Sequence, residues 1–288
     1  MKVLHIGINA IPNLCIARAF RECGHETVSV DWSNRPATNA AMDQALATGV
    51  DLVFMQLQGP DVVDARRVAA LRDAGAFVVN WTGDVRDPLP DHYVSMAEHV
   101  NVTAFTNMPD VEEMRGMGFD ARFLQVGYDE LIYKPDGMKA PSPPIVFMGN
   151  NYGQRFPLSK ERAAMVARMR SEFGRDFAVY GKKWGPGSAI LDPFTEAATY
   201  RGCKVAINFD HFDRRGFYSD RLLRAMACGC PTLDATRLPV DDIVDLCRSV
   251  LEHPYDEMQR MMIAQETHDL DRWHNRIAIL EQWTEHNT

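Results

Sequence analysis

Apolar residues in this chain come in short unbroken runs separated by helical patterns. "KVLHIGI" is the first run and ends at Gly7 and Asn9. A helix is expected next, from about Ile11 to Cys23, with Leu14, Ala17 and Phe20 on its apolar side and Gly24 as its stop. "ETVSVDW", "DLVFMQL", "AFVVNW", "NVTAFT" and "ARFLQVG" continue the series, with helices at "DVVDARRVAALRDAG" and "PDVEEMRGMG". Runs of Val, Ile, Leu and Phe that do not alternate with polar residues predict strands buried on both faces, hence a parallel α/β sheet.

"YKPDGMKAPSPP" breaks the pattern with four prolines and no apolar period, and reads as a linker. "PIVFMGN", the helix "LSKERAAMVARMRSEFG", and the strands "DFAVYG" and "KVAINF" then repeat the style of the first half. The helix in "FYSDRLLRAMACGC" and the strand "PTLDA" complete this set, and the chain is helical in pattern beyond Pro239. The fold class expected is α/β: two Rossmann-like domains facing each other across a cleft. Their boundaries are 1–133 for the first, 134–143 for the linker, and 144–288 for the second with a helical tail.

Charge narrows the partners. The net charge of −8 is unevenly shared: residues 1–143 hold 12 Lys+Arg against 19 Asp+Glu, and residues 144–288 hold 19 against 20. A long duplex would be repelled by the first half, so nucleic acid is disfavoured as a partner. The arginines of the second half suit a small anion. No apolar run approaches the roughly 18 residues of a membrane helix, and "MKVLHIGIN" reads as a strand, not a signal peptide. Cys15, Cys23, Cys203, Cys228, Cys230 and Cys247 form no CxxC pair and no zinc spacing, which implies free thiols in a reducing cytoplasm and no metal site.

In open α/β sheets ligands bind beyond the carboxyl ends of the strands. The loops at those ends are polar: "GINAIPN", "NWTGDVRDP", "MGNNYGQR", "YGKKWGPG" and "NFDHFDRRGFYSDR". Neither GxGxxG nor GxxxxGK[ST] occurs, which argues against dinucleotide and P-loop cofactors. No cofactor is expected. Pocket-forming loops in both halves favour an enzyme with two substrates.

The ordered motifs "FMGNNYGQR…VYGKKWG…VAINFDHFDRRGFYSDRLLRAMACGCPTL" resemble the donor half of GT-B glycosyltransferases, of the group-1-like and spore-maturation-like kind. The resemblance covers about Ile145 to Leu233; the first half is similar in architecture alone. It implies a nucleotide-diphosphate sugar, a UDP-sugar being the first candidate, held by the second domain without an essential metal. An acceptor hydroxyl in the first domain would take the sugar. A glycan, a small molecule, a protein or a hydroxymethylated base of viral DNA are the acceptor classes this implies. A non-catalytic sugar-nucleotide-binding module and a sugar-nucleotide epimerase on the same scaffold are the alternatives. Where retaining members of the family carry two glutamates around the "RLLRAMACG" helix, this chain has Gly216 and Arg224. Arginine has no acceptor for a ribose hydroxyl, and Asp220 lies one turn earlier on the same face.

Physical chemistry adds candidate roles. Arg221, Ser219 and the N–H groups around Asp220 suit a diphosphate at a helix start, with Tyr218 beside them; simple helix capping is the bland alternative. Asn150, Asn151, Tyr152 and Arg155 follow a buried strand and can line the phosphates or the sugar, or only stabilise a turn. Tyr180, Gly181 and Trp184 can frame the base, or belong to the core. His211 lies on the loop after "AINF" and is a donor-site candidate, as is its neighbour Asp213. On the acceptor side, Asp84 is the expected general base, with Asn9, Trp81 and Arg86 as acceptor-binding residues; an Asp84–Arg86 ion pair in a turn is the competing reading.

Overall fold

The computed structural model describes residues 1–8, 11–57, 59–186 and 188–286, with the side chains of residues 11–14 excepted. The chain divides into two compact units. Unit 1 comprises residues 1–126, 214–217 and 273–288; unit 2 comprises 127–213 and 218–272.

Unit 1 is built on β1 (Lys2–Gly7), β2 (Glu26–Asp31), β3 (Leu52–Met55), β4 (Phe77–Thr82), β5 (Val102–Phe105) and β6 (Ala121–Phe123). They form one sheet in the order β2-β1-β3-β4-β5-β6, with every pairing parallel. Strands β3, β4 and β5 are buried along their whole length, as the unbroken apolar runs predict, whereas the edge strand β2 is largely accessible. Helices α1 (Ile11–Glu22), α2 (Arg35–Thr48), α3 (Ala65–Asp73), α4 (Asp91–Ala97) and α5 (Met108–Gly116) connect the strands.

Unit 2 has β7 (Ile145–Met148), β8 (Phe177–Tyr180), β9 (Val205–Asn208) and β10 (Thr232–Asp234), again all parallel, in the order β10-β9-β7-β8. Its helices are α6 (Ser159–Phe173), α7 (Pro193–Gly202), α8 (Asp220–Ala227), α9 (Val240–Glu252) and α10 (Glu257–Asp271). Ile145, Phe147, Val205 and Ile207 from the strands pack with Met165, Met169, Ile243 and Val244 from α6 and α9. The α/β class with two parallel sheets is thus the one expected.

The boundaries differ from expectation in two places. The last helix, α11 (Trp273–Glu285), belongs to unit 1, not to the second domain. It packs on α1, buries Trp273, Ile277 and Leu280, and sets the Trp273 ring edge-on to Trp81 at 5.2 Å. Its Arg276 donates to the Val126 carbonyl at 3.2 Å. The proline-rich stretch 134–143 is no free linker either. Arg201 donates to the carbonyls of Met138 (2.9 Å) and Lys134 (3.0 Å), and Ala140 N–H donates to the Ala198 carbonyl at 2.9 Å, so the stretch is pinned to α7 inside unit 2. Helices α2, α4 and α7 are additional to those anticipated. No helix among the described residues is long and apolar enough to cross a membrane.

Candidate functional site

The carboxyl ends of β7, β8 and β9 and the start of α8 converge in unit 2. The loops after β7 and β8 are laced together by backbone bonds. Gly149 N–H donates to the Tyr180 carbonyl at 2.8 Å, and Asn151 N–H to the Lys182 carbonyl at 2.9 Å. Lys182 N–H returns a bond to the Asn150 side-chain oxygen at 2.8 Å. The approach is so close that a Cβ on Gly181, at φ +132°, would stand 2.3 Å from the Gly149 carbonyl oxygen. Only glycine fits there.

Beneath this seam lies Arg162 of α6. It is 1% exposed, and its guanidinium donates to the Phe209 carbonyl at 2.7 Å and rests over the Phe147 ring at 4.8 Å. Its Nε and Nη2 have no hydrogen-bond partner among the described residues. Burial, then the neighbouring Arg221, pushes its pKa down to about 9, which still leaves it charged at neutral pH. A Cβ on Gly149 would fall 1.9 Å from that Nη2. Gly149 therefore lets the backbone lie directly on a buried cation.

A cavity of about 250 Å³ opens above. Among the described residues one part of its wall is Gly149, Asn150, Tyr152, His211 and Arg221, another is Tyr180, Gly181, Ile190 and Leu191, and a third is Glu196, Asp220 and Arg224. Both ring nitrogens of His211 and the Arg221 Nε are buried without a partner. Burial, with Arg162 and Arg221 adding to it, lowers the His211 pKa to about 3, so its imidazole is neutral at neutral pH. Arg221 Nη2 lies 3.5 Å from the buried Asp210 carboxylate, whose own pKa is raised by burial and drawn back by Arg221.

The start of α8 is held by more than a cap. Ser219 Oγ makes no capping bond; it donates to the Asn208 side-chain oxygen at 2.9 Å, and Asn208 Nδ2 in turn donates to Asp210 at 3.2 Å. This chain fixes the first turn of α8 to the end of β9. One turn on, Arg224 bridges Asp220 at 2.5 Å and faces Glu196 of α7 at 3.6 Å, with its guanidinium over the Tyr133 ring at 5.2 Å. Burial works against its charge, and the carboxylates of Asp220 and Glu196 more than offset that.

Of the donor candidates, Asn150, Tyr152, Tyr180, Gly181, His211, Asp220 and Arg221 share this one wall. The others do not. Trp184 is a core residue: it is 8% exposed, its ring stands edge-on to Phe147, and its indole donates to the Gly149 carbonyl at 2.5 Å. Asn151 caps a turn by accepting from Gly153 N–H at 2.9 Å, and Arg155 lies over the Phe156 ring at 5.3 Å. Tyr218 donates to Asp271 at 2.9 Å, Ser219 acts through Asn208, and Asp213 pairs with Arg237 at 2.6 Å. Arg162, Glu196 and Asp210 were not anticipated. The only sequence signal for Asp210 was its place in the loop "NFDHFD"; Arg162 and Glu196 carried none.

On the unit 1 side, Asn9 lies outside the described residues. Trp81 is 2% exposed, donates to the Leu124 carbonyl at 2.8 Å and stacks on Phe54, so it is core and offers no acceptor platform. Asp84 is accessible and pairs with Arg86 at 3.1 Å, the ion pair that a turn of this composition permits. Unit 1 also has a cavity of about 620 Å³ of its own, with Asn80, His92, Ser95 and Arg66 on its wall, and the Asn80 side-chain oxygen and His92 Nε2 face no partner there.

Two Rossmann-like units, each on a parallel sheet, make up the GT-B fold, and the second carries the polar cavity at its strand ends. Solved structures share it over the whole chain at low identity. An α1,3-fucosyltransferase superposes with a TM-score of 0.56 at 10% identity, covering 100% of this chain and 91% of the other. A UDP-GlcNAc 2-epimerase from Neisseria meningitidis, bound to UDP-GlcNAc, gives 0.53 at 11% identity with both chains fully covered. The N-terminal domain of trehalose-6-phosphate phosphatase from Candida albicans gives 0.57 at 7% identity, covering 100% and 97%. At these identities the likeness speaks for the fold. Residues 160–283, which include the cavity's arginines, match the family described as glycosyl transferase-like. No curated protein matches the chain.

Proposed function

We propose that the protein is a glycosyltransferase that holds a nucleoside-diphosphate sugar in the unit 2 cavity and passes the sugar to an acceptor hydroxyl. One observation carries this reading: the cavity wall carries a buried cationic N–H and a buried neutral imidazole that have no partner among the described residues. Arg221 Nε and the His211 ring stand in that state on the cavity wall, with the buried charge of Arg162 behind Gly149. Buried polar groups are ordinarily paired, so an arrangement of this kind is built for a ligand that supplies acceptors. A diphosphate does so, and Arg221 at the start of α8 adds bidentate geometry and the favourable end of the helix dipole. His211, neutral near pH 7, serves as a hydrogen-bonding group and not as a cation.

Transfer then follows from charge. As the acceptor oxygen bonds to the anomeric carbon, the bond from that carbon to the diphosphate oxygen breaks and the diphosphate gains negative charge. Arg221 and the α8 N–H groups stabilise it as it leaves. The acceptor's proton needs a base, and the accessible Asp84 carboxylate of unit 1 is the candidate for a direct displacement. The test is release of nucleoside diphosphate from UDP-, GDP- and dTDP-sugars, with and without an acceptor panel of monosaccharides and glycans. Release from one donor that is lost in Arg221→Ala supports the reading. No release from any donor, with or without acceptor, contradicts it.

A further inference from the structure

The unit 1 cavity of about 620 Å³ shares no described residue with the cavity of unit 2. It lies beside β4, between the segment that leads from β3 into α3 and the helix α4. Its depth is aliphatic apart from one amide. Leu57 and Val63 are buried there, and Val62 and Met96 pack against the same core. Asn80, placed in β4 between Met55 of β3 and Thr103 of β5, is 1% exposed. Its side-chain oxygen has no hydrogen-bond partner among the described residues, and neither has His92 Nε2 on the α4 side. A buried amide oxygen in that state costs stability until a donor reaches it.

The same wall sets the charge of what fits. Among its exposed residues Arg35 and Arg66 balance Asp61 and Asp91. Asp64 is engaged: it caps α3 by accepting from the Arg66 N–H at 3.0 Å and pairs with Arg67 at 3.0 Å. Burial, then the charge of Arg86, holds the His92 pKa below the ordinary 6.5 against the pull of Asp91, so its imidazole is neutral at pH 7. An ion therefore finds no excess of opposite charge. The imidazoles of His92 and His99 are the only rings on the described wall besides Pro60, and the deep part is aliphatic. A molecule with a hydroxyl on every carbon would bury most of them without a partner, at a cost for each. The volume is that of a small-molecule site.

We propose that this cavity is a separate small-molecule site, and that it takes a neutral, mostly apolar alcohol or phenol. The ligand's hydroxyl donates to Asn80 Oδ1, and its body lies along Leu57, Val63 and Met96. A hydroxyl also suits His92 in either tautomer, because it both donates and accepts. The site stands whether or not unit 2 holds a nucleotide sugar.

Calorimetric titration of the full chain at pH 7 with neutral phenols and alcohols of one or two rings, 2-naphthol among them, tests this. Their methyl ethers are titrated beside them, with glucose and maltose as polyols. Wild type is expected to bind at least one phenol or alcohol saturably, and roughly tenfold more tightly than its methyl ether, which leaves the Asn80 oxygen without a donor. Asn80→Leu keeps the volume and removes that oxygen, so parent and ether should then bind alike. Ser95→Trp fills the mouth from an exposed position on α4, where the fold tolerates it, and should abolish binding. Saturating UDP should leave the phenol or alcohol in place. Binding of none of the phenols and alcohols overturns the inference, as does an ether that binds wild type as tightly as its parent. Binding that survives in Ser95→Trp, or that UDP displaces, puts the ligand elsewhere and also overturns it. Tighter binding of glucose or maltose than of every phenol and alcohol overturns the ligand class.

Discussion

Replacing Arg224 by leucine removes the cation that two carboxylates share and keeps most of the volume. The Arg224 side chain is 15% exposed and Glu196 13%, so water cannot take over the compensation at Glu196. Asp220, at 38%, is screened by solvent and contributes no more than about 1 kcal/mol. Stranding a largely buried carboxylate is the greater cost, and the loss expected in Arg224→Leu at pH 8 is about 3 kcal/mol. Its pH dependence follows from Glu196. Burial already raises that pKa above the ordinary value, with Arg224 drawing it back, so loss of Arg224 raises it further. A raised carboxylate means that the folded state binds its proton more readily than the unfolded state does. The stabilising effect of that proton is complete below the unfolded pKa and is lost as pH rises through the folded one. The gap between wild type and Arg224→Leu should therefore be wide at pH 8 and narrower at pH 5. Urea unfolding followed by tryptophan fluorescence at both pH values measures it, and Arg224→Leu combined with Glu196→Leu should recover most of the loss. A loss under about 1 kcal/mol, or one equal at the two pH values, would refute the reasoning.

Three further outcomes are expected. Gly181→Ala should destabilise unit 2 by about 2–4 kcal/mol because backbone meets backbone at the Gly149 carbonyl, whereas Gly49→Ala, also at positive φ but facing open space, should cost about 1 kcal/mol; equal losses would dismiss the loop seam. His211, held near a pKa of about 3 mainly by burial, contributes stability that is present above its unfolded pKa of roughly 6.5 and lost as pH falls toward 3. His211→Gln should then flatten the stability profile over that window, and parallel profiles would contradict it. Asp84→Asn should lower turnover by about 10²–10⁴-fold with donor affinity kept; unchanged turnover would move the base elsewhere.

The sheets are legible because buried parallel strands are written as unbroken apolar runs, and β3 and β7 show this along their full length. The site loops were legible for the same reason, since they follow such runs. What stayed hidden depended on tertiary packing. Helix α7 buries Ala197, Ala198, Thr199, Tyr200 and Arg201 in succession, which leaves no apolar stripe to read, and only Asp192 before Pro193 marks its start. Missing α7 meant missing Glu196. Arg162 stands in "SKERAAMVARMR", where an arginine reads as solvated; its burial comes from Gly149 and Phe147, which carry no charge to signal it. Trp81 and Trp184 show the opposite error. An aromatic at a strand end looks the same whether it faces a ligand or the core, and here indole hydrogen bonds to the carbonyls of Leu124 and Gly149 decide for the core. Chain order alone puts the last helix with the second domain, but its apolar face fits α1 of unit 1.

On the proposed function, the unpartnered N–H groups of the unit 2 cavity hold a nucleoside diphosphate. Calorimetric titration of wild type and Arg221→Ala with UDP, GDP and ADP addresses it most directly. Wild type should bind at least one of them saturably, and a folded Arg221→Ala should bind it more weakly by about 1.5–3 kcal/mol, the range for a charge-assisted hydrogen bond. Binding that is unchanged in Arg221→Ala, or no binding of any of the three to wild type, would contradict it.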